Sequence, residues 1–298
     1  MDKDKNLQSS TPSELFQSHS REYESNIYVY PVLSRRARGI SIGINLNLDR
    51  ICNFNCAYCQ VRKKQGKSPV CSEFLFSRLE KELERAVPFV TSGKIFQIPP
   101  FSEVSPELRR FNDIALSGDG EPTLFPKFAE VVTLCADILK RHHLDTGNDP
   151  VKIVLITNST LLHLDRVKRG LEVMDANNGE IWAKLDAGTD AYYQIVSRSK
   201  VPFEQILDNL AETARKRPIV IQTLFMRLNG ETPPEAEIDA YIQRLAQILD
   251  GGGQIKLVQL HSVARPPAET WVETLEKSSL EAIAEKVREK TGLNVKVF

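Results

Sequence analysis

The sequence predicts an α/β fold in which parallel strands alternate with helices. Six apolar, β-branched runs recur along the chain, and helical patterns separate them. This alternation favours parallel pairing with right-handed crossovers. The chain has 298 residues and 41% hydrophobic content, which is enough for one large domain or two smaller ones with buried cores. An open doubly wound sheet and an incomplete barrel both satisfy the pattern, because periodicity does not distinguish them.

The predicted strands are short runs rich in Ile, Val and Leu. In chain order they cover residues 40–46, 113–117, 151–157, 181–186, 219–226 and 255–261, and NVKVF at 294–298 is a candidate final strand. An irregular insertion is predicted before the second strand, over residues 93–109, because Pro99 and Pro100 interrupt any regular pattern there.

Four helices are predicted between and after these strands, from apolar residues at helical spacing. They cover residues 125–141, 202–216, 233–249 and 279–292. Cys135 lies on the apolar side of the first of them, so it is predicted to be a core residue. Ser279 is predicted to cap the last helix at its N-terminus, and Gly292 is predicted to end it.

The charge balance and the cysteine content argue against several classes of protein. Lys+Arg and Asp+Glu are 39 each, so the chain lacks the overall basic charge that dominates non-specific nucleic-acid binding. No apolar run approaches a membrane span, and residues 1–25 are polar, which predicts a loose N-terminal arm and no signal peptide. Five cysteines, three of them clustered, argue against a disulfide framework. We expect a soluble cytoplasmic protein without a membrane partner.

The cysteine cluster is the strongest functional signal. ICNFNCAYCQ, residues 51–60, places Cys52, Cys56 and Cys59 directly after the first predicted strand. Parallel α/β folds carry their chemistry at the carboxyl ends of strands. Three thiolates can hold a soft metal centre, although a closed zinc site usually takes four ligands. Zinc completed by Cys71 or a histidine is one interpretation, and an iron–sulfur cubane with one open iron is the other.

The next two strand ends also carry polar residues. In LSGDGEPTLFP, after the second strand, Gly118 and Gly120 let the backbone approach a ligand and Glu121 adds a carboxylate. The alternative is a glycine-rich turn with an incidental acid. The third strand ends in ITNST, residues 156–160, whose hydroxyl and amide groups could hydrogen-bond a ribose or carboxylate, or cap the next helix.

The fourth strand carries charges on one face. Period two places Trp182, Lys184 and Asp186 together. With helices covering the outside of the sheet, these charges point inward, where they need partners or a ligand. Lys184 could bind an anionic substrate or form a Schiff base with a carbonyl substrate.

The last two strands add candidates for lining a substrate cavity. These are Gln222, Gln259 and His261, although a lone histidine is often a hydrogen-bonded structural residue. Arg265, which precedes two prolines, could bind a carboxylate, a phosphate or a surface acid.

Together these motifs resemble the radical S-adenosylmethionine (SAM) superfamily. C-x3-C-x2-C with Tyr58 before the last cysteine is similar to its cluster motif, and SGDGEPTL is similar to its Gly-Gly-Glu element, with Asp119 interrupting the glycine pair. With SRRARGISIGINL, WAKLDAG and VQLHSVARPPAE, the likeness spans about residues 34 to 270. It is a likeness to uncharacterised radical SAM proteins grouped with the tRNA wyosine-synthase-type enzymes.

The resemblance implies a partial (β/α)6 TIM-like barrel with parallel strands, over residues 26–298 and ending in a C-terminal extension. It implies a [4Fe–4S] cluster on the three clustered cysteines, with SAM chelating the fourth iron. Reductive cleavage of SAM would give a 5′-deoxyadenosyl radical that abstracts hydrogen from a substrate. Tyr58 would pack near the adenine and Glu121 would bind the α-ammonium. The remaining expected cofactor contacts are Gly118, Gly120, Thr157, Asn158, Ser159, Asp186 and Gln222, and the expected catalytic residues are Lys184 and His261.

The implied partners are a low-potential electron donor of the flavodoxin or ferredoxin type and a small-molecule or peptide substrate rather than tRNA. A tRNA-base-modifying enzyme is the alternative within the superfamily, although the sequence lacks the extra cysteines of wyosine synthases. A zinc-stabilised binding protein without catalysis is the alternative from another class.

Overall fold

The computed structural model describes residues 25–61, 75–267 and 269–298. The strands of these segments are β1 (Val29–Ser34), β2 (Gly39–Ile44), β3 (Phe111–Leu116), β4 (Lys152–Thr157), β5 (Gly179–Lys184), β6 (Ile219–Leu224), β7 (Met226–Leu228), β8 (Ile255–His261), β9 (Val272–Thr274) and β10 (Val295–Val297).

The helices of the same segments are α1 (Phe76–Thr91), α2 (Phe128–Arg141), α3 (Asp165–Asp175), α4 (Asp190–Val196), α5 (Phe203–Lys216), α6 (Glu235–Asp250) and α7 (Lys277–Thr291). Four single 3-10 turns lie at Lys94–Gln97, Phe101–Glu103, Pro106–Leu108 and Pro122–Leu124. The first three of these turns confirm the irregular insertion predicted before β3.

The main sheet has eight strands in the order β1-β2-β3-β4-β5-β6-β8-β10. All neighbours from β2 to β10 are parallel, whereas β1 pairs antiparallel with β2 at one edge. The six predicted strands and the final strand are confirmed. Because the parallel strands follow one another in chain order without a reversal, the sheet is wound in one direction, as in a barrel, and is not closed.

The two faces of the sheet pack against different residues. On the outer face, Ile40, Ile42 and Ile44 belong to the main core between the sheet and the helices. The inner face has a small separate cluster formed by Ala115, Val154, Trp182 and Val220. Above this cluster, towards the carboxyl ends of the strands, the inner face becomes polar.

One buried carboxylate explains how the first strand is attached. Glu82 on α1 accepts hydrogen bonds from the backbone N–H groups of Ile27, Tyr28 and Val29 at 2.9, 2.8 and 3.1 Å. These donors stand just before or at the start of β1. The sequence pattern gave no prediction of β1, α1, α3, α4 or the two-stranded β7–β9 sheet.

The start of the last helix corrects one prediction. α7 begins at Lys277 with Glu276 in the capping position, so Ser279 lies inside its first turn and is not the cap. A lysine and a serine precede Ser279 within the helix, and the chain before them is extended. Gly292 does end the helix, with the left-handed φ of 69° that favours glycine.

Some predictions lie outside the described residues or are untested by the fold. Residues 1–24 of the polar arm and Cys71 are outside the described part of the chain. The division into an arm and one domain stays a prediction. Within the described segments, no helix combines the length and the apolar character needed to cross a membrane.

Candidate functional site

Polar side chains from three adjacent strands form a row on the inner face. The register pairs Lys184 of β5 with Gln222 of β6, and Gln222 with Gln259 of β8. Gln222 donates a hydrogen bond from Nε2 to Oε1 of Gln259 at 3.1 Å, and both residues are buried. The inward direction predicted for Lys184 is confirmed, since Trp182 two residues earlier belongs to the inner cluster.

The cysteine loop begins soon after β2 and is fixed against α4. Its backbone N–H groups at Asn55 and Ala57 donate to the carbonyl oxygens of Ser197 and Val196, at 2.9 and 2.8 Å. Phe54 also packs edge-on against Tyr193, with ring centroids 5.7 Å apart. These contacts place the loop over the carboxyl ends of the parallel strands.

Cys52, Cys56 and Cys59 are free thiols and partly buried. Burial raises the pKa of Cys56 to about 12, while the nearby charge of Lys184 acts in the opposite direction. A cation beside thiols favours their thiolate form, which is the form that binds metal. Cys135, by contrast, is fully buried in the core on α2, as predicted.

Tyr58, Lys184 and Asp186 form one connected group. The hydroxyl of Tyr58 donates to Oδ2 of Asp186 and accepts from Nζ of Lys184 at 2.5 Å. Lys184 also lies 3.5 Å from the Asp186 carboxylate and 4.5 Å from the centre of the Tyr58 ring. Oδ1 of Asp186 accepts from the backbone N–H of Leu224 at 2.9 Å. Burial raises the pKa of Tyr58 well above its usual value, so its hydroxyl stays protonated.

Glu121 connects the glycine loop to the end of β4. It is 2% exposed, and its Oε1 accepts from the hydroxyl groups of Thr123 and Thr157 at 2.6 and 2.7 Å. Its Oε2 accepts from the backbone N–H of Asn158 at 2.7 Å. Burial raises the pKa of Glu121, and these hydrogen bonds partly offset that shift. The carboxylate is therefore not incidental to the turn.

The residues after β4 connect the sheet to the cysteine loop. Asn158 donates from Nδ2 to Oδ1 of Asn53 at 2.6 Å and lies 3.8 Å from the Cys52 sulfur. Ser159 has a left-handed φ of 68° and donates to the carbonyl oxygen of Lys184 at 3.3 Å. The alternative role of capping the next helix is excluded, because α3 begins only at Asp165.

The two glycines of the predicted loop stand where no side chain fits. A Cβ at Gly118 would overlap Oδ1 of Asn45, and one at Gly120 would overlap the carbonyl oxygen of Ile51, the residue before Cys52. Asp119 between them accepts from Nδ2 of Asn45 at 2.9 Å. The glycine loop therefore packs directly on the segment that leads into the cysteine loop.

His261 and Arg265 lie at the far side of the inner face. Among the described residues, no hydrogen-bond partner is found for the buried Nδ1 of His261 or the buried Nε of Arg265. Burial is the largest cause that lowers the pKa of His261 well below its usual value, and the charges of Arg36, Lys184 and Arg35 lower it further. His261 is therefore a neutral imidazole at neutral pH.

Sequence reasoning missed Asn45, Asn53 and Arg36. Asn53 lies inside the cysteine motif, and Arg36 and Asn45 lie inside SRRARGISIGINL, but the sequence assigned none of the three a role in the site. Arg36, in the turn between β1 and β2, places its guanidinium 5.5 Å from the Trp182 ring centre. The nearest signal in the sequence was the group of three arginines at positions 35, 36 and 38, which contributed to the prediction only as part of the family likeness.

The donor set fits an iron–sulfur cluster by its chemistry. Thiolates are the usual protein ligands of such clusters, and three of them share one loop beside a lysine. Within the described part of the chain, no three or more His, Cys, Asp or Glu side chains form a preformed metal site. The fit therefore rests on the type and spacing of the ligands.

A sequence model of the radical SAM superfamily matches residues 46–242, from the end of the first parallel strand to α6. The chain belongs to the radical SAM superfamily. Members of this superfamily use a [4Fe–4S] cluster and SAM, so the predicted cofactors are confirmed at the level of the family. Membership also identifies the chain as an enzyme of radical SAM type.

Two curated relatives illustrate how far the likeness extends. The chain is 22% identical over 188 residues to a Brachyspira hyodysenteriae protein named GTPase Obg, covering 62% of this chain and 23% of that protein. It is 26% identical over 146 residues to a UPF0026 protein of Helicobacter pylori, covering 49% of this chain and 39% of the other. The chain thus spans less than half the length of these relatives.

Solved structures support the fold. The crystal structure of a radical SAM methyltransferase from Sphaerobacter thermophilus matches 91% of this chain and 68% of the other, with 13% identity and a TM-score of 0.61. A TYW1 structure with a lysine–pyruvate adduct bound matches 90% of this chain and 85% of the other, with 17% identity and a TM-score of 0.49. The partial barrel is confirmed.

Proposed function

We propose that this radical SAM protein holds one [4Fe–4S] cluster on Cys52, Cys56 and Cys59 and binds SAM at the carboxyl ends of β3 to β6. When bound, these groups supply one-electron cleavage of the SAM sulfonium to methionine and a 5′-deoxyadenosyl radical, which abstracts hydrogen from a substrate. One observation carries the proposal: hydrogen bonds join the cysteine loop directly to the residues after β4 and β5.

The role of Tyr58 follows from how firmly it is held. Because Asp186 and Lys184 both bind its hydroxyl, the ring beside Cys59 is fixed in position. A fixed aromatic ring next to the cysteines can serve as one wall of an adenine site. Lys184 is 18% exposed, which leaves its ammonium able to attract the SAM carboxylate or an anionic substrate.

Glu121 is proposed to bind the SAM ammonium through Oε2. That oxygen accepts one N–H, from Asn158, whereas Oε1 already accepts several hydrogen bonds. A carboxylate oxygen has two acceptor positions, so one position on Oε2 remains available. The main role of Thr157, Asn158 and Ser159 is then to fix the positions of Glu121 and the cysteine loop relative to each other. Asn158 is the one nearest to Cys52.

The inner row is proposed to face the substrate. Gln222 and Gln259 are hydrogen-bonded to each other, and His261 is the next inward residue on β8. As a neutral imidazole, His261 can give or take one proton at Nδ1 without carrying a charge beforehand. The electron needed for SAM cleavage is proposed to come from a flavodoxin-type or ferredoxin-type donor, and the substrate to be a small molecule or peptide.

The test is anaerobic purification with cluster reconstitution, on the full chain. The expected product is a brown protein with about four irons per chain that releases 5′-deoxyadenosine when SAM and a strong reductant are added. Cys56→Ala is expected to lose both the iron and the product. Cys135→Ala is the matched control, because Cys135 is buried in α2 away from the loop. A colourless protein with one zinc per chain would instead support the zinc-stabilised binding protein.

A further inference from the structure

The turn between β1 and β2 brings two arginines towards the inner face of the sheet. Ala37 of this turn packs against the inner cluster, and the guanidinium of Arg36 lies over Trp182. Arg35 and Arg36 are both partly buried, whereas Arg38 in the same turn is exposed. The turn therefore places two positive charges on the side of the sheet where Lys184 and His261 lie.

Neither of these arginines forms an ion pair with an acid among the residues that the structure describes. In the part of the chain that the structure describes, neither Arg35 nor Arg36 makes a side-chain hydrogen bond or an ion pair. Asp113 is the acid whose charge affects Arg36, but it is not within ion-pair distance. Burial and the neighbouring charge of Arg35 lower the pKa of Arg36 to about 10, so it remains positively charged at neutral pH.

A partly buried guanidinium without an acidic partner is costly, and two adjacent ones add to the cost. Burying a charge without a partner is unfavourable, and like charges close together add repulsion. A ligand of opposite charge that bound between the two arginines would offset both costs. Arginine is the side chain best suited to this role, because its planar group binds carboxylate or phosphate oxygens with two parallel hydrogen bonds.

A second, independent observation lies beside the arginines. His261 is 8% exposed, and its Nδ1 has no hydrogen-bond partner among the described residues. The neutral imidazole has one N–H, and in the tautomer that carries it on Nδ1 this group can be donated to an anion. Arg35, unlike Arg36 and His261, also lines a neighbouring cavity of roughly 560 Å³ together with Glu276 and Lys277, and that volume is in the range of small-molecule sites.

We propose that Arg35 and Arg36 bind a carboxylate or phosphate group of a small-molecule substrate on the inner face, with His261 donating a further hydrogen bond. This inference deepens the proposed function and rests on it, because it names the chemical class of the substrate. Lys184, which Asp186 already pairs, stays with the SAM side of the site. The arginines would hold the anionic end of the substrate away from the cysteine loop.

The experiment uses the full chain without its cluster, so that it does not depend on radical chemistry. Isothermal titration calorimetry with sodium phosphate and with sodium succinate, at constant ionic strength, is compared with sodium chloride. Binding of at least one of the two anions is expected for the wild type. Arg36→Gln should weaken it roughly tenfold or more, whereas Arg38→Gln should bind like the wild type because Arg38 is exposed.

Two further measurements keep the test decisive. Arg36→Lys should retain part of the affinity, which covers the case in which Arg36→Gln does not fold. Without anions, Arg36→Gln should melt at the same temperature as the wild type or higher, since a partly buried charge without an acidic partner has been removed. Phosphate binding alone indicates a phosphorylated substrate, and succinate binding alone indicates a carboxylate substrate.

The inference is overturned if neither anion binds the wild type, or if Arg36→Gln binds as tightly as Arg38→Gln. Either result leaves the proposed function standing, provided that the reconstituted wild type still releases 5′-deoxyadenosine. Conversely, anion binding that depends on Arg36 in a protein unable to load iron would reject the proposed function and retain the anion site. The two failures are therefore distinguishable.

Discussion

The hydroxyl of Tyr58 donates a hydrogen bond to the carboxylate of Asp186, across a separation of 128 residues in the chain. This bond ties the cysteine loop to the end of β5. Both residues are expected cofactor contacts, and the structure shows that each is also the other's partner. The arrangement of the cysteine loop therefore depends on the carboxyl end of the sheet as well as on its own sequence.

Replacing Tyr58 by phenylalanine should disturb the site more than the loss of one oxygen implies. Asp186 and Lys184 would each lose a hydrogen bond in a buried setting, and an unsatisfied buried polar group costs about 1–3 kcal/mol. We expect Tyr58→Phe to lower the free energy of unfolding by about that amount in urea titrations and to reduce iron per chain after reconstitution.

Tyr192 supplies the matched control for that experiment. Its hydroxyl is also buried, but it has no hydrogen-bond partner among the described residues. Tyr192→Phe should therefore leave the iron content unchanged and should not lower the free energy of unfolding. Equal losses in both variants would show that the Tyr58 hydrogen bonds do not position the cysteine loop.

Adding one methyl group at Gly120 should displace the cysteine loop. The new Cβ would overlap the carbonyl oxygen of Ile51, which is backbone and has little freedom to move. Overpacking of this kind typically costs about 1–3 kcal/mol. We expect Gly120→Ala to bind less iron than the wild type, measured by metal analysis after reconstitution.

Gly251→Ala is the comparison for that variant, because a Cβ there meets its nearest atom, a carbonyl oxygen, at 3.2 Å and lies far from the site in sequence. It should load iron as the wild type does. If both alanine variants load iron equally, the contact between the glycine loop and Ile51 has no role in shaping the cluster loop.

The parallel strands, and the positions of the motifs at their ends, could be predicted from the sequence alone. Period two along β5 correctly put Lys184 on the inner face, because side-chain alternation is fixed by strand geometry. The cysteines and the glycine loop were found because each motif is contiguous. Short antiparallel pieces such as β7 and β9 were not predicted, since three residues carry too little pattern.

What the sequence could not supply is which residues meet across the chain. Glu121 bonding to Thr157, and Asn158 bonding to Asn53, are pairings set by the curvature of the sheet. Arg36 illustrates the same limit, since nothing in a turn of arginines indicates that one of them will lie over Trp182. Local patterns predict elements, and the contacts between elements depend on tertiary packing.

Glu121→Gln tests whether the buried carboxylate both holds the loop and binds SAM. An amide has only one acceptor oxygen, so one of the donors from Thr123, Thr157 or Asn158 would face an NH2 group. We expect a loss of roughly 1–3 kcal/mol in unfolding free energy and weaker SAM binding by calorimetry on the reconstituted protein.

Glu130→Gln, at an exposed position in the first turn of α2, should leave both quantities nearly unchanged. A stability loss in Glu121→Gln with normal SAM affinity would limit Glu121 to a structural role. The ammonium would then have to be bound by another acid of the glycine loop, and Asp119 is the acid next to Gly120.

Asp113 should make the free energy of unfolding decrease as the pH rises, which is the opposite of what most carboxylates do. It is 3% exposed at the start of β3, and burial raises its pKa from 3.8 to about 7, although Ser41 and Lys152 act against the shift. Between these two values the folded protein binds a proton that the unfolded chain has released. Stability from this group therefore falls as pH rises from about 4 to about 7.

Asp113→Asn removes that titration and measures its size. At 1.36 kcal/mol per pKa unit, the wild type should lose on the order of 3–4 kcal/mol relative to the variant between pH 4.5 and pH 8. Urea titrations of both proteins across this range give the difference directly, free of the other titrating groups. Asp149→Asn, at an exposed carboxylate, is the control and should track the wild type. A difference between wild type and Asp113→Asn that stays constant with pH would mean that Asp113 is ionised throughout and that its burial is compensated by its neighbours.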